Sequence, residues 1–117
     1  MHAAIAAMRP GAIAADLDEL ARRHLSERGI APYTHALGHQ IGRSVHDGGT
    51  LLARRCERYG ERGVAPLRPG EVYTVEPVVA GTTGVDGHPI GVEQDVLITE
   101  DGCELLSTPQ DAIQVVR

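Results

Sequence analysis

The arrangement of apolar residues changes near Tyr33, and this change limits the folds that the chain can adopt. The segment 12–28 has apolar side chains at the spacing of an amphipathic helix, namely Ile13, Leu17, Leu20, Ala21 and Leu25. Gly29 follows it in a position that often ends a helix. Beyond Tyr33, short apolar runs are separated by glycine and proline, as is typical of strands and loops. The sequence therefore predicts a helical part followed by a sheet.

Local patterns refine this division. Residues 2–8 are rich in alanine and favour a helix that Pro10 ends, and the helix at 12–28 has room for ion pairs Asp18–Arg22 and Glu19–Arg23. Residues 72–75 and 78–79 are expected to pair in a sheet, and 92–99 is expected to form a hairpin with 103–106. The charged, glycine-containing segments 54–63 and 81–87 are predicted to be loops.

Composition excludes several classes of partner. The chain has 117 residues, enough for one domain, which we assign to residues 1–117. It has 11 basic and 16 acidic side chains, a net charge of −5, and no lysine, which argues against nucleic acid and against an anionic membrane surface. No apolar stretch is long enough to span a membrane, and Cys56 and Cys103 lack the spacing of a disulfide framework or a zinc site. These features predict a cytoplasmic protein.

Six histidines are present, and three of them (His35, His39 and His46) fall within twelve residues. Imidazole binds borderline transition metals and transfers protons near neutral pH. The spacing of the first two does not indicate a helical zinc motif, because Ala36 replaces the catalytic glutamate and the glycines nearby weaken a helix. We therefore place these histidines on extended chain. Three solvated histidines on a glycine-rich loop are the alternative interpretation.

Two glutamates strengthen the case for a metal site. Glu76 and Glu93 both interrupt apolar strand-like runs. An ionised glutamate inside a sheet is costly unless it is paired, protonated or bound to a cation. Two such carboxylates and a histidine cluster are explained together by a metal site. Each glutamate taken singly is also compatible with an outward-facing strand residue.

Three motifs in this order resemble the signature motifs of the pita-bread metallopeptidases, the superfamily of prolidase, aminopeptidase P, methionine aminopeptidase and creatinase. They are HALGHQIGRSVHD, LRPGEVYTVEP and GVEQDVLITEDGCELLS, and the resemblance covers nearly the whole chain. It implies the C-terminal half of the catalytic domain, an α+β fold with helices packed on a curved, mostly antiparallel sheet. It also implies metal-assisted hydrolysis of the N-terminal peptide bond of small peptides, as in Xaa-Pro dipeptidases and aminopeptidases.

The resemblance assigns roles to five of the residues above. In the superfamily two divalent metals, which can be manganese, cobalt, iron or zinc, are held by two aspartates, one histidine and two glutamates. The motifs match His39, Glu76 and Glu93 to metal ligands, Glu76 also to the general acid and base, and His35 and His46 to histidines that line the substrate site. Gly91 stands where proline-specific members often have arginine, which argues against strict Xaa-Pro specificity.

The two ligand aspartates of the superfamily precede the helices, and we expect them to lie outside this chain. Weak or absent peptidase activity is then expected of the chain alone, together with self-association or pairing with the missing N-terminal half. A noncatalytic peptide- or protein-binding module derived from the same fold is the alternative function.

Overall fold

The computed structural model describes residues 1–79, 89–110 and 112. In chain order the elements are α1 (His2–Ile5), α2 (Ala14–Ser26), β1 (Gly38–Ile41), β2 (Leu51–Leu52), a 3₁₀ helix (Gly60–Gly63), β3 (Val72–Val75), β4 (Val78–Val79), β5 (Ile90–Gly91), β6 (Gln94–Ile98) and β7 (Cys103–Leu105). The helices precede the strands, as the change in apolar pattern predicts. No helix within the described ranges is long and apolar enough to cross a membrane.

Helix α2 is the predicted amphipathic helix with slightly narrower bounds. It begins after Ile13, whose backbone is extended and whose side chain provides no capping hydrogen bond. Its C-terminal end is closed by Gly29, which has a φ of +70°, and by a hydrogen bond from Ile30 N–H to the carbonyl of Leu25 at 3.0 Å. A left-handed residue at this position costs glycine little, so the sequence sets the end of the helix more firmly than its start. Helix α1 ends earlier than predicted, at Ile5.

Five of the strands form one antiparallel sheet in the order β2-β1-β3-β6-β7, and β4 pairs with β5 in a separate two-stranded sheet. The prediction that 72–75 and 78–79 are strands is confirmed, although the two belong to different sheets because the chain leaves the first ladder at Glu76 and Pro77. The β6–β7 hairpin is confirmed, with Thr99 N–H bonded to the carbonyl of Gly102 at 3.0 Å. The predicted loop at 81–87 lies outside the described residues.

The core lies between α2 and one face of the sheet. Along β6 every second residue is buried, so that Val96 and Ile98 point into the core. Their fully or almost fully buried neighbours are Leu17 and Ala21 of α2 with Leu37, Leu52, Tyr73 and Val75. Burial of these aliphatic side chains is the main stabilising contribution available to a chain with no Phe or Trp. The opposite face of the sheet carries His39, Thr74 and Asp95 as well as the apolar Ile41, Val72 and Leu97.

The charged segment 54–63 is not a plain loop, since it contains the 3₁₀ helix and Arg55, which contacts α2. The guanidinium of Arg55 is bonded to Asp16 and lies 3.8 Å from the carboxylate of Glu19. Asp18 and Arg22 form the predicted ion pair at 2.6 Å. The other predicted ion pair, Glu19–Arg23, is not found among the described residues. Arg23 instead lies 3.9 Å from Glu27, the residue that follows the helix.

Candidate metal centre

His39 lies within β1, on extended chain as predicted, whereas His35 and His46 lie at bends outside the strands, contrary to the prediction. Its backbone N–H donates a hydrogen bond to Thr74 Oγ1 at 3.0 Å. The register of β1 and β3, in which Gln40 pairs with Tyr73, puts His39 opposite Thr74. This close approach depends on Gly38, because a Cβ atom there would lie 1.9 Å from the carbonyl oxygen of Thr74. Two residues that are far apart in sequence are thus held on one face of the sheet.

Glu76 follows directly after β3 and turns its carboxylate towards His39. Its Oε1 lies 3.3 Å from His39 Nε2 and accepts a hydrogen bond from the hydroxyl of Thr74 at 3.3 Å. Its backbone N–H donates to the carbonyl of Leu37 at 2.7 Å. The side chains of His39 and Glu76 are 13% and 34% exposed, so the pair is partly shielded from solvent yet open to a small ligand.

Glu93 lies just before β6 and is opposite Glu76. Val75 pairs with Gln94 in one ladder and Val78 pairs with Gly91 in the other. Both ladders have the same register, and continuing either one by a residue or two sets Glu76 opposite Glu93. Residues opposite each other in an antiparallel pair share a face, with their Cβ atoms about 5 Å apart. The two glutamates also line the same cavity, of about 250 Å³, with Val78, Gly91 and Val92.

His46 lies in the loop between β1 and β2 and stacks against His39, with 4.1 Å between the ring centroids and 32° between the planes. Two side chains hold this loop. Gln40 Oε1 accepts a hydrogen bond from Thr50 N–H at 3.1 Å, and Asp47 Oδ2 accepts one from Arg43 N–H at 3.3 Å. His46 is therefore placed beside the proposed ligand although its own side chain is exposed.

His35 occupies a different environment. It is exposed, its ring lies beside that of Tyr33 at 5.2 Å, and its Nδ1 is 2.6 Å from the carbonyl oxygen of Ala36. Its own carbonyl accepts a hydrogen bond from Arg22 at 2.7 Å. The contacts of His35 thus run to helix α2 and to Tyr33, whereas those of His46 run to His39.

The donor atoms fit a divalent cation in part. Nitrogen and oxygen ligands that are each about 2.1 Å from one ion stand roughly 3 to 3.4 Å apart, and the 3.3 Å between His39 Nε2 and Glu76 Oε1 agrees with this. Imidazole and carboxylate are suitable ligands for such ions. Within the described ranges, however, no three His, Cys, Asp or Glu side chains are arranged to hold an ion. His39 and Glu76 therefore form a pair of donors. Glu93 lies opposite Glu76, but its carboxylate does not complete a group of three with them.

The sequence did not identify Thr74, Asp18 or Gln40 as residues whose side chains support the candidate site. Thr74 was detectable, because it lies two residues before Glu76 on a strand and therefore shares its face. Asp18 and Gln40 act on residues that only the tertiary structure brings near them, through contacts 19 and 10 residues away.

Comparisons with known proteins agree with the motifs. The model of metallopeptidase family M24 matches residues 1–100. An uncharacterized peptidase of Staphylococcus saprophyticus is 35% identical over 107 residues, which are 89% of this chain and 27% of that protein. The chain therefore spans about a quarter of the length of the curated relatives that it matches.

Solved structures give the same result. The X-Pro aminopeptidase of Thermotoga maritima is 34% identical with a TM-score of 0.81, and the alignment covers 98% of this chain and 30% of that one. The prolidase of Pyrococcus furiosus is 28% identical with a TM-score of 0.78, covering 93% of this chain and 29% of that one.

Proposed function

Because the chain belongs to metallopeptidase family M24, we propose that His39, Glu76 and Glu93 are protein ligands of a divalent-metal centre that hydrolyses the N-terminal bond of small peptides. The family membership and the α+β architecture confirm the predicted resemblance to the pita-bread metallopeptidases. The activity, of the Xaa-Pro dipeptidase or aminopeptidase type, is proposed for the centre to which this chain contributes.

The observation that carries the proposal is the opposition of Glu76 and Glu93 beside His39. Like charges directly opposite each other across two strands destabilise the pair. A cation between them would convert this repulsion into attraction and would use the nearby imidazole as a further ligand. The three residues come from β1, the end of β3 and the start of β6, which are adjacent strands.

A bound divalent metal supplies a water molecule of lowered pKa and polarises the peptide carbonyl. The chain's own residues then have separate tasks. Glu76 accepts the proton of the attacking water and returns it to the leaving amine, and Thr74 fixes the orientation of Oε1 for this transfer. We assign His46, which is stacked on His39, to the developing oxyanion, and His35 to the bound peptide.

The proposed metal is manganese, cobalt, iron or zinc, all of which accept imidazole and carboxylate ligands. Further carboxylates are needed to complete a two-metal centre, so we expect this chain alone to be weakly active or inactive. Gly91 in place of an arginine favours small peptides in general over Xaa-Pro peptides alone. The thiols of Cys56 and Cys103 are both free, which supports the proposed cytoplasmic location.

The metal can be tested directly by calorimetric titration of the chain with Mn²⁺ or Co²⁺. His39→Ala and Glu76→Gln should each weaken binding at least tenfold, because each removes a ligand. His24→Ala is the matched control, since His24 lies on α2 and lines a different cavity. Metal binding that is unchanged in both ligand variants would overturn the proposal.

One observation favours the alternative, a noncatalytic peptide-binding module. Within the described residues there is no complete group of three ligands. The two functions differ in their response to a chelator. A module would bind a small peptide equally well with and without EDTA and would not cleave it, whereas the proposed centre would bind or cleave it only with metal.

The edge strand β7 supports an association with another chain segment. Leu105 and Leu106, at and just after its end, are 36% and 51% exposed. An unpaired edge with apolar side chains favours association. We propose either self-association or pairing with the N-terminal half of the catalytic domain, and a monodisperse monomer in light scattering at high protein concentration would contradict self-association.

A further inference from the structure

Helix α2 has one completely buried carboxylate, that of Asp18. Its Oδ1 accepts hydrogen bonds from the hydroxyl of Tyr33 at 3.0 Å and from Leu37 N–H at 3.1 Å, and its Oδ2 lies 2.6 Å from Arg22 Nε. A buried charge is expensive unless such partners satisfy it. The carboxylate is therefore fully committed to holding these three groups.

Arg22 extends this network to the backbone of residues 33–35, which precede β1 and its His39 in the chain. Its guanidinium donates to the carbonyl of Tyr33 and, at 2.7 Å, to the carbonyl of His35. It also lies over the Tyr33 ring, 4.2 Å from the centroid. Its side chain is only 17% exposed, which strengthens these contacts relative to those of a surface arginine.

Together the two side chains hold the segment 33–37 on both sides of His35. The carbonyls of Tyr33 and His35 are bound by Arg22, and the N–H of Leu37 is shared between Asp18 at 3.1 Å and the carbonyl of Leu52 at 2.7 Å. His35 itself lies outside the strands, where the backbone has no ladder to fix it. By contrast His39 is held by β1 and by Thr74. The two histidines, four residues apart, have separate supports.

From this geometry we propose that Arg22, anchored by Asp18, is the positioning residue for His35 at the peptide-binding side of the candidate metal centre. The significance of the position rests on the proposed function, but the constraint itself is a property of the folded chain. Arg22 does not touch the reacting groups; it acts through the backbone of His35.

Lysine cannot replace Arg22 in this task. The guanidinium has five N–H donors in a fixed plane and reaches Asp18 and two carbonyls together, whereas the three donors of an ammonium share one nitrogen and cannot span these groups. Arg22→Lys keeps the charge beside Asp18 and preserves the ion pair in the core. It is thus the variant that separates the constraint on His35 from the stability of the fold. Arg23→Lys is the matched control, because Arg23 is the next residue of the helix and is 64% exposed.

The test is ¹⁵N relaxation by NMR on the whole chain, with the free energy of unfolding measured in urea for each variant. We expect the backbone order parameters of residues 34–36 to be near 0.85 in the wild type and to fall below about 0.6 in Arg22→Lys. Those of β1 and β3 should not change, and Arg23→Lys should match the wild type throughout. The imidazole signals of His35 should shift in Arg22→Lys, while those of His39 stay in place.

A purely structural role gives a different result. Arg22→Lys would then lower the free energy of unfolding while its folded fraction kept wild-type order and His35 signals, and this outcome would overturn the proposal. If Arg22→Lys does not fold, the wild-type chain still decides, because the Arg22 guanidinium protons should exchange with solvent much more slowly than those of Arg23. Equal exchange would overturn it.

The same samples distinguish this inference from the proposed function. Metal titration of Arg22→Lys should give a Kd within about threefold of the wild-type value, because His39 and Glu76 are held from the sheet. A chain that binds no metal but loses order at 34–36 in Arg22→Lys would refute the proposed function and leave the positioning role standing. A chain that binds metal but keeps its order at residues 34–36 in Arg22→Lys would refute the positioning role and leave the proposed function standing.

Discussion

The hydroxyl of Thr74 donates a hydrogen bond to Oε1 of Glu76, two residues further along the chain, at 3.3 Å. The same hydroxyl oxygen accepts the backbone N–H of His39 at 3.0 Å. Thr74 is 2% exposed, so water cannot replace either bond readily. One buried hydroxyl therefore connects the two proposed ligands that lie closest together.

Thr74→Val should weaken metal binding by about tenfold and lower the free energy of unfolding by roughly 1 to 3 kcal/mol. Valine keeps the shape but leaves a buried N–H without an acceptor and frees the Glu76 carboxylate to rotate. Calorimetry with Co²⁺ and urea unfolding measure the two effects. Thr99→Val, in the β6–β7 turn, is the control and should leave the metal affinity unchanged.

Gly38→Ala should destabilise the fold by at least about 2 kcal/mol. The new methyl group would meet the carbonyl oxygen of Thr74, a backbone atom that cannot move without separating β1 from β3. Gly102→Ala provides the comparison, because its methyl group would be 3.9 Å from the Thr99 hydroxyl oxygen, an ordinary contact. Equal stability of the two variants in urea would contradict the close approach.

Glu93→Gln should have effects of opposite sign on the metal-free and metal-bound chain. Without metal, removal of the charge opposite Glu76 should stabilise the fold by about 0.5 kcal/mol. With metal, the loss of a ligand should weaken binding at least tenfold. Urea unfolding with EDTA and calorimetry with Mn²⁺ give the two quantities. Glu104→Gln, an exposed strand residue of β7, is expected to change neither.

Stability should fall at alkaline pH because of two buried tyrosines. Burial, with the Asp18 charge and hydrogen bond, raises the pKa of Tyr33 far above its usual value of 10.0, and burial, with the Glu71 hydrogen bond, raises that of Tyr73. The unfolded chain thus loses these protons first. These two tyrosines leave the free energy of unfolding unaffected below about pH 10 and lower it above that, by up to about 1.4 kcal/mol per pH unit for each tyrosine. In Tyr33→Phe the decline should be shallower by the contribution of one tyrosine, up to about 1.4 kcal/mol per pH unit. A slope identical to that of the wild type would contradict the raised pKa of Tyr33.

Local patterns predicted the parts of the fold that local physics determines. Gly29 indicated the end of α2, the β-branched residues at 72–75 indicated β3, and the turn at 100–102 indicated the β6–β7 hairpin. The motifs around His39, Glu76 and Glu93 identified residues that the fold brings onto adjacent strands. The strands could be predicted because alternation and turn chemistry are properties of the sequence itself, whereas the role of the three residues as ligands stays a prediction.

Contacts between distant segments could not be predicted in the same way. Asp18 was expected to pair with Arg22 in the helix, and it does, but its complete burial against Tyr33 and Leu37 depends on where the chain returns after α2. The assignment of 78–79 to a separate sheet likewise depends on a break at Pro77, which has no N–H to donate to a ladder. Both outcomes follow from tertiary packing, which periodicity does not encode.

The two-stranded sheet of β4 and β5 lies, in chain order, between the glutamate pair and the connection that joins these two strands. Val78–Gly91 and Val79–Ile90 lie between that connection and the pair, and Val75–Gln94 lies on the other side. Because paired residues fix the register on both sides of the two glutamates, changes in the intervening chain should not alter the distance between Glu76 and Glu93. Insertions or deletions between Val79 and Ile90 are therefore expected to leave the two glutamates in register, so the ligand pair can be retained while the length of the connection diverges.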